Sequence, residues 1–157
     1  MLYRKILYHS NVGYLTLISD DHYIRKLEFG KKELASLDAV EEDHPLLLEA
    51  VKQLEEYFSG ARRQFDLPLA PEGTKFQKAV WNALLQIPYG QVSTYGKLAA
   101  QVGSPKAARA VGGACHNNPI AILIPCHRAI GANGSLTGFG GGLPLKHWLL
   151  ELENTIL

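Results

Sequence analysis

The residue types best suited to covalent chemistry lie in the stretch 124–128, where the thiol of Cys126 stands between a proline and the imidazole of His127, and Arg128 follows. The thiolate is the nucleophilic form of cysteine, and a neighbouring base and cation both favour it over the thiol. The alternative is an inert buried cysteine, because free cysteines are often packing residues. A core cysteine needs neither a titratable nor a charged neighbour, so the pattern favours a reactive Cys126.

Glu153 is a second charged residue whose position needs a reason. The last predicted helix has a buried stripe made of Leu145, Trp148, Leu149 and Leu152. Glu153 continues that stripe four residues after Leu149, and a carboxylate there is disfavoured both by desolvation and by the dipole at the helix C-terminus. We therefore expect a partner, and His127 is the obvious one. The alternative is a frayed helix end with Glu153 in water.

Metal chemistry is not predicted. The chain has two cysteines, Cys115 and Cys126, each followed by a histidine, and their spacing matches no common zinc pattern. We expect neither a metal nor another cofactor. The chain shows no secretion signal and no apolar stretch of membrane-spanning length, and a reducing compartment would keep both cysteines as thiols. The expected location is the cytoplasm.

Two segments must position Cys126. The apolar run 120–124 predicts a short buried strand that delivers the cysteine. The glycine-rich run 131–142 follows, and we interpret it as a flexible wall over a pocket. A phosphate-binding loop is the alternative, but the βαβ unit that such glycine fingerprints require is missing.

A helix-turn-helix is predicted before this strand. Thr94 can cap a helix whose apolar positions recur at helical spacing, namely Tyr95, Leu98, Ala99 and Val102. Gly103 ends this helix, and Ser104 and Pro105 then form the N-cap and the first turn of a second one. Two short helices joined through one glycine are typical of this DNA-binding motif.

The second helix of the pair has a bare surface. One face is predicted to be buried and holds Ala108, Val111, Gly112 and Cys115, whereas the other holds Lys106, Arg109, Gly113 and His116. Glycine weakens a helix by about 1 kcal/mol per residue relative to alanine. Close approach to a DNA groove would explain that cost, and ordinary helix packing through small residues is the alternative.

Charge is distributed unevenly along the chain. The formal net charge is +1 for 157 residues, yet residues 1–70 carry 9 basic and 12 acidic residues, whereas residues 71–157 carry 7 basic and 3 acidic ones. From Gly73 to Leu150 there is no acidic residue at all. Such a one-sided half suits a polyanionic partner.

The chain divides into two predicted domains with an α+β fold. Hydrophobic residues make up 46% of it, which suffices for a core. Segments rich in β-formers at 3–6, 13–19 and 23–29 and a helix from Pro45 to Gly60 predict a small sheet-plus-helix domain over residues 1–70. A linker is predicted at 61–73. Residues 71–157 are predicted to form a mainly helical domain that begins with a capping box at Thr74.

Taken together, these residues resemble the O6-alkylguanine-DNA alkyltransferases, also called methylated-DNA–protein-cysteine methyltransferases. The resemblance runs from Gly73 to Glu153, and four motifs carry it: 124–128, the glycine-paired helix 109–113, Asn118 with Pro119, and 146–150 before Glu153. Residues 1–70 resemble the variable N-terminal domain of the family only in general shape.

The resemblance implies an irreversible, single-turnover transfer of an alkyl group from guanine O6, and less efficiently from thymine O4, to Cys126. It also implies that a monomer binds double-stranded DNA in the minor groove and flips the damaged nucleotide into a pocket. The catalytic roles would be those of a water-linked base for His127 and of its orienting carboxylate for Glu153. Asn118 would brace the strand and the recognition helix, and Tyr95 would contact the flipped nucleotide.

The expected DNA contacts lie mainly on the helix-turn-helix. The resemblance implies that Arg109 fills the stack that the nucleotide vacates, and the other expected contacts are Lys106, Ala107, Gly112, Gly113, Thr94 and Arg128. Two positions depart from the family pattern, because Phe139 stands where some relatives have tyrosine and Gly140 where some have serine. The zinc ligands that some relatives carry in the N-terminal domain have no cysteine counterparts.

Two other functions fit parts of the pattern. A non-enzymatic DNA-binding module of the alkyltransferase-like kind has tryptophan at the acceptor position, and Cys126 discriminates against it. A cysteine hydrolase that pairs Cys126 with a distant histidine would turn over repeatedly and would not depend on DNA.

Overall fold

The computed structural model describes residues 1–31, 39–134 and 138–155, and the chain divides into two compact units. The first unit consists of Met1–Glu72 and Pro119–Leu123, and the second of Gly73–Asn118 and Ile124–Leu157. The chain passes between the units three times, and the first passage, after Glu72, lies close to the division expected at residue 70. The assignment of residues 119–123 to the first unit was not expected. None of the described helices is long and apolar enough to cross a membrane.

The first unit is built on a four-stranded sheet with the order β3-β2-β1-β4. Its strands are β1 (Leu2–His9), β2 (Gly13–Ser19), β3 (Ile24–Phe29) and β4 (Ala39–Glu41). β2 is antiparallel to both β1 and β3, whereas β4 is parallel to β1. Asp20 stabilises the turn between β2 and β3, because its carboxylate accepts hydrogen bonds from the backbone N–H groups of His22 and Tyr23.

Helix α1 (Pro45–Phe58) completes this unit and starts at Pro45 as predicted. Its cap is His44, whose Nδ1 accepts a 3.2 Å hydrogen bond from the backbone N–H of Leu46. The core of the unit contains Leu15, Leu17, Ile24, Leu27, Leu47, Leu54 and Tyr57. Strand β4 is not among the predicted strands, because three residues that pair with a distant strand leave no local pattern in the sequence.

The apolar run that precedes the cysteine is buried as predicted, but it is not a strand. Ile120 forms an isolated bridge to Leu27, and the backbone N–H of Ala121 donates to the carbonyl of Leu27 at 3.0 Å. The chain then reverses in a γ-turn at Ile122, closed by a 2.7 Å hydrogen bond from the N–H of Leu123 to the carbonyl of Ala121. The φ of Ile122 is 69°, a strained value for a β-branched residue.

The second unit is mainly helical, as predicted. It contains α2 (Lys75–Leu85), α3 (Tyr95–Gln101), α4 (Ala108–His116) and α5 (Leu143–Leu152), a 3₁₀ turn (Cys126–Arg128), and the parallel strands β5 (Ser93–Thr94) and β6 (Ala129–Ile130). The capping box at the start of α2 is confirmed, because Thr74 and Gln77 each accept the other's backbone N–H.

Helices α3 and α4 form the predicted helix-turn-helix. Gly103 ends α3 in the left-handed conformation with a φ of 83°. The backbone N–H groups of Gly103 and Ser104 donate to the carbonyls of Ala100 and Ala99 at 3.0 and 2.9 Å, which satisfies the last turn of the helix. Gly103 therefore stops α3 as its sequence position predicts.

The start of α4 differs from the prediction. The helix begins at Ala108, because residues 104–107 form a turn closed by a 2.8 Å hydrogen bond from Ala107 N–H to the carbonyl of Ser104. Ser104 is thus not the N-cap, since the fixed φ of proline suits a turn as well as a first helical turn. The buried residues of α4 are Val111 and Ala114. Of the four residues predicted to be buried only Val111 is, whereas Ala108, Gly112 and Cys115 are half-buried.

Candidate active site

Cys126 is the first residue of the 3₁₀ turn and is only 7% exposed. The chain enters the turn through a second γ-turn, in which Pro125 has φ −81° and ψ 66° and the backbone N–H of Cys126 donates to the carbonyl of Ile124 at 2.8 Å. Asn118 Nδ2 donates to the same carbonyl at 2.9 Å. The side chain that follows α4 therefore braces the turn that carries the cysteine.

The resting form of Cys126 differs from the sequence-based expectation. Burial raises the pKa of its thiol, and the hydrogen bond from Asn118 and the charge of Lys146 offset only part of that rise. Burial also raises the pKa of Cys115, to about 12. Both cysteines rest as thiols, so a nearby base is needed before Cys126 can react as a nucleophile.

His127 and Glu153 form the pair that the sequence predicts. His127 Nε2 lies 2.8 Å from Glu153 Oε2, and both side chains are fully buried. Glu153 caps the C-terminus of α5 rather than fraying into water. The prediction of a His127–Glu153 contact is confirmed, and the frayed alternative is wrong.

The charges of this pair determine which nitrogen of His127 is basic. Burial opposes ionisation of Glu153, but hydrogen bonds from His127 and Arg128 outweigh it and lower the pKa of the carboxyl to about 2. An ionised Glu153 accepts a hydrogen bond from Nε2–H, so in the neutral ring Nδ1 carries no proton. Burial lowers the pKa of His127, so the ring is neutral. Nδ1 is buried and has no hydrogen-bond partner among the described residues.

Arg128 was predicted to contact DNA, and its position argues against that role. It is only 8% exposed, and its Nε and Nη2 donate to the two oxygens of Glu153 at 2.9 and 3.0 Å. Its Nη1 donates to the carbonyl of Ile87 at 2.7 Å, just after the end of α2. A guanidinium committed to these three bonds is an internal support for Glu153.

Lys146 is a buried residue of the site that the sequence reasoning missed. It has no solvent exposure, and its Nζ donates to the carbonyl of Ala129 at 2.6 Å. The buried residues of α5 are Leu145, Lys146, Leu149 and Leu150, so Lys146 and Leu150 take the places that were predicted for Trp148 and Leu152. The signal was present in the sequence, since Lys146 lies three residues before Leu149 and seven before Glu153, on the same helical face.

The expected DNA-binding face of α4 is open. Lys106, Arg109 and Gly113 are exposed, and Gly112 is half-buried. A Cβ built on either glycine meets no atom within 4 Å in the described part of the chain. The alternative of helix packing through small residues is therefore wrong. Ala107 stands at the cap position and no side chain caps this N-terminus, so the first N–H groups of α4 have no side-chain acceptor.

A short ladder joins the start of the helix-turn-helix to the catalytic turn. Thr94 caps α3 by accepting a 3.1 Å hydrogen bond from the backbone N–H of Lys97, and it pairs with Ile130 in the β5–β6 ladder. Tyr95 is the first residue of α3 and is half-buried. Strand β6 follows the 3₁₀ turn directly, so both predicted residues lie on an element connected to the Cys126 turn.

The glycine-rich run after β6 is described only in part. Residues 135–137 lie outside the described residues, so the interpretation of 131–142 as a pocket wall stays a prediction. Phe139 is half-buried and Gly140 is exposed. In the described part of the chain, no group of three or more His, Cys, Asp or Glu side chains is placed to hold a metal ion.

A unit that carries a helix-turn-helix, a buried cysteine and a histidine–carboxylate pair defines the class of DNA-binding proteins with a cysteine nucleophile. Known families agree with that class. Residues 75–155 match the DNA binding domain of 6-O-methylguanine DNA methyltransferase, and residues 3–71 match its ribonuclease-like domain. The chain belongs to the 6-O-methylguanine DNA methyltransferase family.

Individual relatives cover nearly the whole chain. The methylated-DNA–protein-cysteine methyltransferase of Methanosarcina acetivorans is 50% identical over 151 residues, which are 95% of this chain and 97% of the relative. The protein of the same name from Haemophilus influenzae is 47% identical over 93% of this chain and 83% of its own length. The crystal structure of Mycobacterium tuberculosis OGT in complex with DNA has a TM-score of 0.85 and 46% identity, covering 98% of this chain and 92% of that one.

Proposed function

We propose that this protein repairs alkylated DNA by moving the alkyl group from O6 of guanine, and less efficiently from O4 of thymine, to its own Cys126. The observation that carries the proposal concerns His127, the residue that follows Cys126 in the chain. Its buried Nδ1 has no hydrogen-bond partner among the described residues, and Glu153 lies 2.8 Å from the other ring nitrogen. A resting thiol with a raised pKa needs such a base. The names and coverage of the relatives support the same reaction.

The transfer balances without a cofactor. The thiol of Cys126 gives its proton to Nδ1 of His127 through a bridging water, and ionised Glu153 stabilises the imidazolium that forms. The sulfur then attacks the alkyl carbon, the bond from that carbon to O6 breaks, and its electron pair goes to the base. The guanine takes up one proton and the imidazolium of His127 releases one, so the products are guanine, a neutral His127 and a thioether on Cys126. The thioether bond is too stable for the protein to reverse, so each molecule is limited to one transfer.

The helix-turn-helix supplies access to the lesion. A base inside a duplex is out of reach, so the nucleotide must be extruded at a cost of a few kcal/mol. In our proposal the open glycine face of α4 approaches the minor groove and exposed Arg109 fills the vacated stack, with Lys106 and the uncapped helix N-terminus on phosphates. Tyr95 contacts the extruded nucleotide. A cytoplasmic location is part of the proposal, because a reducing compartment preserves the free thiol.

Mass spectrometry tests the proposal directly. The protein is incubated with a duplex that contains one O6-methylguanine, and both intact mass and peptide mass are measured. We expect one added methyl group, located on Cys126, and no more than one repaired lesion per protein molecule when the duplex is in excess.

The control variants are Cys126→Ala and Cys115→Ala. Cys126→Ala should accept no methyl group, whereas Cys115→Ala should react normally. Repeated turnover, or repair that persists in Cys126→Ala, would rule out the transfer to this cysteine and favour a hydrolase.

A further inference from the structure

Lys146 is a buried lysine that the proposed transfer does not use. Its side chain has no solvent exposure, and its Nζ lies 2.6 Å from the carbonyl oxygen of Ala129. Hydrogen bonds this short are typical of charged donors. Burial of an ammonium group is unfavourable unless nearby groups compensate it, so a lysine at this place calls for a specific reason.

The titratable and charged groups around Lys146 come from three parts of the second unit. Helix α4 contributes Cys115 and the 3₁₀ turn contributes Cys126 and His127. His127 in turn contacts Glu153 at the end of α5, and Glu153 pairs with Arg128. At rest Lys146 and Arg128 are positive, Glu153 is negative, and His127 and the two thiols are neutral. The cluster thus holds two positive charges and one negative charge before Cys126 reacts.

The negative charge of Glu153 is committed to the other end of the cluster. Its two oxygens accept hydrogen bonds from Arg128 and His127 at 2.8 to 3.0 Å. Lys146 instead reaches the backbone three residues after Cys126, at the first residue of β6. Burial raises the pKa of Cys126 and lowers the pKa of Lys146. The charge of Lys146 offsets part of the rise for Cys126, and the charge of Cys126 offsets part of the fall for Lys146.

We propose that Lys146 is a positioning residue of the transfer, whose ammonium holds the turn after Cys126 through Ala129 and provides the counter-charge for the Cys126 thiolate. In this arrangement Glu153 stabilises the imidazolium that takes the proton, and Lys146 stabilises the sulfur that loses it. The part of Lys146 in alkyl transfer rests on the proposed function, whereas its effect on the thiolate does not depend on DNA.

Iodoacetamide provides the test, because it alkylates the thiolate and requires neither DNA nor a flipped base. The rate of modification of Cys126 is followed by peptide mass between pH 6 and pH 10 in the wild type, Lys146→Met and Lys146→Arg. We expect Lys146→Met to shift the profile upward by about one pH unit, which is about tenfold slower labelling at neutral pH. Lys146→Arg keeps the charge and should stay within about threefold of the wild type.

The matched control is Lys78→Met, which removes one exposed lysine from α2 of the same unit. Its profile should coincide with that of the wild type. A Lys146→Met profile that also coincides would overturn the proposal, and so would equal defects in folded Lys146→Met and Lys146→Arg. If the wild type labels normally but takes no methyl group from O6-methylguanine DNA, the proposed function fails and the thiolate result stands.

A measurement on the wild-type side chain covers the case in which Lys146→Met does not fold. The titration of Lys146 is followed by NMR of the labelled side chain before and after methylation of Cys126. Methylation prevents the thiolate from forming at high pH, so Lys146 should lose its proton at lower pH in the methylated protein. Identical titrations in the two forms would overturn the proposal.

Discussion

Arg128 and Glu153 form a two-pronged ion pair inside the protein, with Nε to Oε1 at 2.9 Å and Nη2 to Oε2 at 3.0 Å. The same Oε2 accepts the hydrogen bond from Nε2 of His127 at 2.8 Å. Two residues that are neighbours in the chain thus share one carboxylate from the end of α5. This sharing sets the orientation of the imidazole, whose Nδ1 has no hydrogen-bond partner among the described residues.

We predict that His127 and Glu153 act as a unit in the transfer. His127→Ala and Glu153→Gln should each slow single-turnover methyl transfer by about a hundredfold, the usual order of a lost general base. The double variant should be little slower than either single variant, because groups that act together have non-additive effects. Rates are measured on O6-methylguanine duplex, with DNA affinity as the control that should stay unchanged. Multiplying defects would contradict the paired role.

Arg128 should matter for stability and not for DNA affinity. Arg128→Met leaves the Glu153 carboxylate buried without its cation, and breaking a buried pair in this way costs about 3 to 5 kcal/mol of unfolding free energy. Urea unfolding measures the loss, and binding to undamaged duplex across salt concentrations should match the wild type. If DNA binding by folded Arg128→Met depended less on salt than binding by the wild type, Arg128 would contact DNA after all.

The stability of the protein should fall in two steps on acidification. The folded-state pKa of Glu153 is about 2, below its ordinary 4.5, so its contribution is complete above pH 4.5 and is lost as the pH falls towards 2. That contribution is about 3 kcal/mol. The pKa of His127 is lowered from 6.5 by burial, so the unfolded chain gains protons first and stability starts to fall below pH 6.5.

Urea unfolding at a series of pH values checks this prediction. Glu153→Gln should flatten the curve below pH 4.5, because the group that titrates there has been removed. A wild-type stability that stays constant from pH 7 to pH 3 would contradict it.

Arg109 should matter most where extrusion is costly. Arg109→Ala should slow repair of a lesion in a well-paired duplex more than repair in a mismatched pair, where unstacking costs a few kcal/mol less. Reaction with free O6-methylguanine, which needs no extrusion, should be nearly normal. Lys106→Ala is the matched control and should weaken binding to all duplexes alike. Equal loss of Arg109→Ala on all three substrates would exclude the stacking role.

At most positions an alanine variant is more stable than a glycine variant, and at Ile122 we expect the opposite order. At a φ of 69° glycine is relaxed and alanine is strained, so Ile122→Gly should be more stable than Ile122→Ala by about 1 kcal/mol, although both lose the buried side chain. Ile120, which is equally buried without a positive φ, is the control, and there the glycine variant should be the less stable one. Urea midpoints measure both pairs, and the same order at the two positions would contradict the strained turn.

The amino-acid sequence by itself determined the features that depend on residue type and local period. The capping residues Thr74 and Thr94 and the stop at Gly103 stand where they were predicted, because each acts on backbone groups within a few residues. The pairing of Glu153 with His127 was also predictable, since a carboxylate on an apolar helical face requires a partner.

Only the tertiary structure decided the features whose partners are distant in sequence. Strand β4 exists through its pairing with β1, and the turn at Ile122 follows from the bonds that hold its neighbours against β3. Arg128 and Lys146 are both buried, and although its spacing places Lys146 on the buried face of α5, only the structure shows which groups receive the two charges. Their acceptors are the Glu153 carboxylate and two backbone carbonyls. Backbone carbonyls are the same in every residue, so no sequence pattern marks the one that will receive a buried cation.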